Sequence, residues 1–208
     1  MSHDSHHKNL LFDLGGVILD LNVNGTLEAF LNLGFPKELL SYPENFYTDI
    51  FYNYETGKVN TAEFRDSIRE QFNVQFTDQE FDDAWCTMIA RIPPKRIEIL
   101  KSLAQNYDLY MLSNTSEIHI EKFRRMFKDT GGVALDNLFK KCYYSYEIGH
   151  HKPDEEAFTH VLKDAGIKAA ETLFLDDNIH NVKAAQALGF NVIHISESLK
   201  MDQVGFDK

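Results

Sequence analysis

Cysteine is nearly absent from this chain. Its two cysteines, Cys86 and Cys142, form neither a CxxC pair nor a zinc-ligand spacing. A disulfide scaffold and a zinc module are therefore excluded, and both residues read as buried, reduced thiols. Long apolar runs are missing too: Leu10–Leu19 is broken by Asp13 and falls short of the ~20 residues a membrane span needs. No small-residue cleavage pattern follows it, which argues against a secretory signal and makes the cytoplasm the expected location. Basic charge is scarce, with 21 Lys and Arg against 32 Asp and Glu, a net charge of −11, and no basic cluster anywhere. Such a surface repels nucleic-acid backbones and anionic lipids, so neither is expected as a partner. Repeats are absent, and low complexity is confined to residues 1–7, "MSHDSHH", which read as a flexible tail.

What is present is an ordinary globular composition, 43% hydrophobic and 25% charged, over 208 residues. Short aliphatic segments bounded by polar residues read as strands: "KNLLFD" at 8–13, "YDLYMLSN" at 107–114, "KCYYSY" at 141–146, "TLFLDD" at 172–177 and "NVIHIS" at 191–196. Helical patterns separate them. Pro93–Pro94 is expected to open one helix, Ser116 to Phe127 spans a second, and Pro153 is expected to open a third that closes at Gly166; the last ends near Gly189. The alternation predicts an α/β fold, a Rossmann-like parallel sheet with helices on both faces. Residues 22–92 break the alternation: they show helical periodicity and no convincing strand, with Thr61 and Thr77 as expected N-caps. The predicted organisation is a core of residues 8–21 and 93–208 with a helical cap of residues 22–92 inserted into it.

In open parallel sheets ligands gather at the carboxyl ends of the strands. The first predicted strand ends in Asp13, the second in Ser113 and Asn114 and the fourth in Asp176 and Asp177, while "EIGHHKP" brings Lys152 to a helix start. Carboxylates gathered there need a cation, because two of them ~5 Å apart repel by about 3 kcal/mol at an effective dielectric of ~20. Mg²⁺ suits an all-oxygen set of this kind, and a magnesium ion beside Lys152 and Asn114 makes a pocket for a phosphoryl group.

The four stretches "FDLGGVI", "LSNT", "GHHKP" and "FLDDNIHN" resemble the four ordered motifs of the haloacid dehalogenase-like superfamily. Within it the chain is most similar to the branch that includes sugar-phosphate phosphatases and the N-terminal phosphatase domain of soluble epoxide hydrolase; "YETGKVNTAEFRDSI" in the helical region is of that type. The resemblance implies a magnesium-dependent phosphatase acting on a small phosphate ester. It implies Asp13 as the nucleophile that forms an aspartyl-phosphate, and Mg²⁺ held by Asp13, the Gly15 carbonyl and Asp177, with Asp176 as ligand or supporting carboxylate. Ser113 and Asn114 would bind the phosphoryl oxygens, Lys152 would offset charge, and Asn181 would orient the acidic pair.

One departure stands out. Most phosphatases of the superfamily carry a second aspartate two positions after the nucleophile, and here that position is Gly15. The expectation is a slow or leaving-group-selective phosphatase, with Asp20 or Glu28 as candidates to replace the acid. A non-catalytic phospho-ligand or partner binder is the alternative reading. A haloacid dehalogenase is disfavoured by the acidic pair, and a phosphomutase by Gly15. His150 and His151 read as solvated loop residues, and His180 as pointing along an exposed helix start. His119, His160 and His194 belong to no constellation. Phe46, Tyr47, Phe51, Tyr52 and Tyr54 read as packing, with one or two of them as candidate pocket lining. Monomer and dimer are both left open.

Overall fold

The computed structural model describes residues 7–38 and 48–206. Five strands form one all-parallel sheet: β1 (Asn9–Phe12), β4 (Asp108–Ser113), β5 (Lys141–Tyr144), β6 (Thr172–Asp176) and β7 (Asn191–His194), in the order β5-β4-β1-β6-β7. Each is short, and helical crossovers connect them, as parallel pairing requires. Period-2 alternation sends successive side chains to opposite faces, and both faces are buried. Leu10 and Phe12 pack with Leu109, Met111 and Leu175 on one side, while Leu11 packs with Tyr110, Leu112 and Phe174 on the other. Phe12 lies opposite both Met111 and Leu175, so the central strands end nearly level, at the edge where the predicted site residues lie.

Between β1 and β4 the chain forms β2 (Asp20–Leu21), then α1 (Val23–Asn32), α2 (Asp49–Glu55), α3 (Thr61–Phe72) and α4 (Asp78–Trp85), then β3 (Ile89–Arg91). These helices gather round their own aromatic cluster: Phe30, Phe51, Phe64, Phe81 and Trp85 are buried together. At roughly 1.5–3 kcal/mol for each fully buried large apolar side chain, this cluster is a second core. It predisposes Phe51 and Tyr54 to packing, as expected: Phe51 meets Phe64 edge-on and Tyr54 stacks on it. Tyr52 lies instead beside the His151 ring, and Phe46 and Tyr47 lie outside the described residues.

The sequence reading missed β3, which pairs antiparallel with β2 to form a two-stranded link beneath the helices. At two and three residues these strands are too short to show a period. Thr61 is not the N-cap of α3; Asn60 is, its side chain accepting from the N–H groups of Ala62 and Glu63 while Glu63 returns the bond. Both residues cap well, and one-residue shifts at helix ends are not resolved by residue type. Thr77 caps α4 as expected, in a capping box with Glu80.

The remaining helices are α5 (Pro94–Leu103), α6 (Glu117–Gly131), α7 (Ser145–Ile148), α8 (Glu155–Ala165) and α9 (Ile179–Ala187). Pro94 sits at the first position of α5, Ser116 is the N-cap of α6, and Gly166 closes α8 with φ near +66°. Pro153 does not open α8; the helix starts two residues later with Asp154 as its N-cap, leaving Pro153 in the loop that carries Lys152. Both cysteines are free and partly buried. Among the described residues no helix is long and apolar enough to cross a membrane.

Candidate active site

Asp13 follows β1 directly and continues its register, its N–H donating to Leu175 O at 2.8 Å. Asp176 ends β6 and Asp177 is the next residue. These three strand-end acids come together: one carboxylate oxygen from each lies within 4.8 Å of the others. Lys152 reaches them from the loop after α7, with Nζ 2.7 Å from Asp13 Oδ1 and 2.7 Å from Asp176 Oδ2. The lysine is only 2% exposed and Asp176 is fully buried, so the contact is shielded from water and salt.

The electrostatics follow from burial and sign. Desolvation pushes the Asp13 carboxyl up to about 7; Asp176 and Asp177 add to the rise, and Lys152 opposes it. Partial desolvation by the surrounding site raises Asp177 too, with Asp176 contributing, although its side chain remains exposed. Burial opposes the charge on Lys152, but its two carboxylate partners outweigh it and hold the ammonium above the ordinary lysine value. Fully ionised, three carboxylates against one ammonium leave an excess of two negative charges, which suits a divalent cation.

Asp176 already accepts four hydrogen bonds from three donors. Its Oδ1 accepts from the Asn178 N–H at 2.8 Å and from Asn181 Nδ2 at 3.1 Å, and its Oδ2 from Lys152 and again from Asn181 at 3.1 Å. Asn181 thus holds Asp176, one member of the acidic pair, from the first turn of α9. Its own Oδ1 is buried beside these acids and meets no donor, an unusual vacancy that waters carried by a hydrated cation would fill. The backbone turn after Asp13 presses against the same place. At Gly16, where φ is +68°, an added Cβ would lie 2.1 Å from Asp177 Oδ2, so only glycine lets the Gly15–Gly16 peptide approach that carboxylate.

At the end of β4, Ser113 is buried and Asn114 grips the backbone of Lys152. Asn114 Oδ1 accepts from the Lys152 N–H at 2.8 Å and Nδ2 donates to the Lys152 carbonyl at 2.7 Å. The second hydrogen of Nδ2 goes to His151 Nδ1 at 2.8 Å. A cavity of about 310 Å³ opens over these groups, with Asp13, Ser113, Lys152 and Asp177 on its floor and Trp85 and Glu55 from the helices opposite.

Several expectations are corrected here. His151 is no solvated loop residue: besides Asn114 it contacts Glu55 Oε2 through Nε2 at 3.2 Å. His119, read as belonging to no constellation, lines the cavity, stacks flat on Trp85 at 4.8 Å and bonds the Trp85 carbonyl through Nε2 at 2.9 Å. His194 bonds the Asp177 carbonyl at 2.9 Å, whereas His180 is exposed at the start of α9 as expected. Neither candidate for the absent acid lines the cavity. Asp20 is ion-paired with Arg91 at 2.9 Å and Arg96 at 3.0 Å; burial resists its charge, but the two guanidiniums hold it below the usual carboxylate range. Glu28 is exposed on α1. Glu55, His119 and Trp85 escaped the sequence reading because their partners lie far along the chain.

Comparison with known proteins agrees with this architecture. The haloacid dehalogenase-like hydrolase family model matches residues 7–189, so the chain belongs to the haloacid dehalogenase-like hydrolase family. It is 31% identical to a D-ribitol-5-phosphate phosphatase of Bacteroides thetaiotaomicron over 88% of this chain and 89% of that protein. To the sesquiterpene phosphatase astK of Aspergillus oryzae it is 27% identical over 92% of this chain and 91% of the other. A crystal structure of a family enzyme from Bacteroides thetaiotaomicron, in complex with magnesium and inorganic phosphate, superposes with a TM-score of 0.84 at 38% identity, covering 90% and 93% of the two chains. The chain is an enzyme, a phosphoric monoester hydrolase of this family.

Proposed function

We propose that the chain is a Mg²⁺-dependent phosphatase for a small phosphorylated metabolite of the polyol or sugar phosphate type, working through an aspartyl-phosphate on Asp13. The observation that carries this reading is the meeting of Asp13, Asp176, Asp177 and Lys152 at the strand ends, under a cavity large enough for a small ester. Similarity to a phosphatase named for D-ribitol 5-phosphate supports the substrate class.

In this reading Asp13, Asp177 and the Gly15 carbonyl hold the metal. Asp176 belongs to the same cluster and acts chiefly by fixing Lys152 and the strand end, since its oxygens are already engaged. A bound Mg²⁺ would supply the positive charge that keeps Asp13 ionised and the phosphoryl oxygens polarised. An Asp13 carboxylate oxygen attacks phosphorus as the bond to the leaving oxygen breaks, giving an acyl phosphate and an alkoxide that takes a proton from water. Water then attacks the phosphorus of the acyl phosphate, releasing inorganic phosphate and restoring the carboxylate. Ser113 and the Asn114 backbone hold the phosphoryl oxygens, while the Asn114 side chain, with both Nδ2 hydrogens engaged, acts by gripping the Lys152 loop. Lys152 keeps the departing charge on Asp13 compensated through both steps. We further propose that the helices of residues 22–92 serve as the cap over this cavity.

Gly15 contributes no carboxyl group, so the leaving oxygen depends on solvent for its proton and turnover depends steeply on the leaving group. The test is release of inorganic phosphate from a panel of polyol, sugar and aryl phosphates with and without Mg²⁺. The expected result is metal-dependent turnover that Asp13→Asn abolishes. Turnover that survives Asp13→Asn, or none on any ester with native protein, would overturn the reading, the latter in favour of a phospho-ligand binder.

A further inference from the structure

The cavity wall opposite the carboxylates is mostly apolar, with Trp85, Met88 and Ile89 among its members. His119 brings a polar ring into it. The residue stands in the first turn of α6, three positions after the N-cap Ser116. Its ring lies flat on Trp85, with the centroids 4.8 Å apart. Trp85 is itself pinned, its indole N–H donating to Ser116 Oγ at 3.3 Å. Both Trp85 and Ser116 are buried, so the stack is part of the packed wall.

The hydrogen bonds fix the tautomer of His119. Its Nε2 lies 2.9 Å from the Trp85 carbonyl, which only accepts, so Nε2 carries the ring proton and donates it. In the neutral ring Nδ1 is then a lone pair. Burial keeps the ring neutral by pushing its pKa below the ordinary histidine value; Lys122 acts the same way, while the Trp85 carbonyl and Glu55 oppose it. Among the described residues no donor meets Nδ1. The sealed side-chain polar atoms without a partner are Thr48 Oγ1, Arg96 Nε, Tyr144 Oη and Asn181 Oδ1. Nδ1 is not one of them, so it opens to the cavity that the ring lines.

We propose that His119 Nδ1 selects a hydroxylated carbon chain: it accepts a hydrogen bond from a hydroxyl of a polyol phosphate whose phosphoryl group lies at Asp13. This rests on the phosphatase reading above. A bare alkyl chain packs against the apolar wall but displaces water from Nδ1 and returns no donor, leaving a polar atom unpaired. A hydroxyl avoids that loss. Because the ring is neutral and gives its one proton to a backbone carbonyl, His119 determines specificity and does not replace the acid missing at position 15.

The experiment measures, with Mg²⁺, the inhibition constants of ribitol 5-phosphate and n-pentyl phosphate as competitors of 4-nitrophenyl phosphate hydrolysis. Competition reads their binding even where they turn over slowly, and their carbon chains are equally long, so the native-to-variant change in their ratio reports the hydroxyls. Two variants divide the ring between them. His119→Gln keeps an amide N–H where Nε2 was and has no acceptor at Nδ1; His119→Asn keeps an oxygen where Nδ1 was and gives up the bond to Trp85. His119→Gln should cut the preference for ribitol 5-phosphate over pentyl phosphate about fivefold, the worth of one neutral hydrogen bond, with native thermal stability. His119→Asn should lose thermal stability and hold the preference within twofold of native; should it not fold, the glutamine variant decides. A preference within twofold of native in folded His119→Gln, or one lost equally in both variants, would overturn the assignment and leave the phosphatase reading intact. Absence of 4-nitrophenyl phosphate turnover by the native protein would overturn both.

Discussion

Restoring the acid that position 15 lacks should change how turnover depends on the leaving group. Gly15 has no left-handed φ, so an L side chain fits its backbone. An added Cβ would meet Leu21 Cδ1 at 3.2 Å and Cδ2 at 3.4 Å, both at the far end of a side chain that is 43% exposed and free to yield by a few tenths of an ångström. Gly15→Asp should therefore fold. Two residues along a chain are at most ~6.5 Å apart, and the turn after Asp13 brings positions 13 and 15 no farther than that. At that distance the new carboxylate and Asp13 repel by about 2.5 kcal/mol at an effective dielectric of ~20. That repulsion corresponds to ~2 pKa units, moving an ordinary aspartate from ~3.9 to about 6. A carboxyl titrating near neutrality is suited to donating a proton and then taking one back from water.

General acid–base help of this kind is worth ~10²–10⁴-fold, and a group introduced without the surrounding adjustments should reach the lower part of that range. The assay is kcat/KM against the pKa of the leaving phenol for a series of aryl phosphates, extended to alkyl esters. Native protein should give a steep negative slope. Gly15→Asp should flatten it and accelerate alkyl phosphates by about 10–100-fold while nitrophenyl phosphate changes little. An equally steep slope in a variant with native thermal stability and magnesium affinity would refute the reasoning, because the leaving oxygen would then not be waiting for a proton.

Two further outcomes follow from the buried charges. Lys152→Met removes one partner and leaves Asp13 and Asp176 uncompensated, so with chelator present the variant should lose about 3–5 kcal/mol of stability in urea unfolding; a loss under ~1 kcal/mol would contradict the buried triad. Asp20→Asn tests the link beneath the helices. Burial resists the Asp20 charge but Arg91 and Arg96 outweigh it, so its folded pKa lies below the unfolded value of ~3.9. Its stabilisation is then complete above that value and lost as pH falls through the folded one. The native-minus-variant difference should be small at neutral pH, ~0.5–1 kcal/mol after solvent screening, and should shrink as pH falls below the unfolded value; a difference that grows on acidification would refute the pairing.

The sheet and the floor of the site were legible because both are local statements. A short aliphatic run ending in an acid announces a strand with a carboxylate at its tip, and two such tips, with the Ser113–Asn114 tip and the Lys152 loop, imply their own convergence once the sheet is parallel. The wall of the site was illegible for the complementary reason. Glu55 and His151 lie 96 positions apart, and nothing in "YETG" or "GHHK" says that one will bond the other. His119 is likewise an unremarkable helical residue until Trp85 stacks against it. The β2–β3 link failed differently, being too brief for any periodicity to register.

The donor inventory also separates three acids that the sequence presents as equals. Asp176 is fully buried, meets three donors and does not line the cavity; a carboxylate so engaged is a poor nucleophile and a good anchor. Asp177 is exposed and borders both the cavity and the groove beside Gly16, as suits a group reached by a hydrated ion. Asp13 lies between these extremes: it faces the cavity, and its carboxyl is raised by burial and restrained by Lys152 on Oδ1. Only Asp13 combines access to a substrate with a counter-ion that can follow its charge as it is spent on phosphorus and regained. The division supports the proposed roles from burial, access and hydrogen bonding together, and exchanging Asp176 for asparagine should accordingly disturb the position of Lys152 before it disturbs metal affinity.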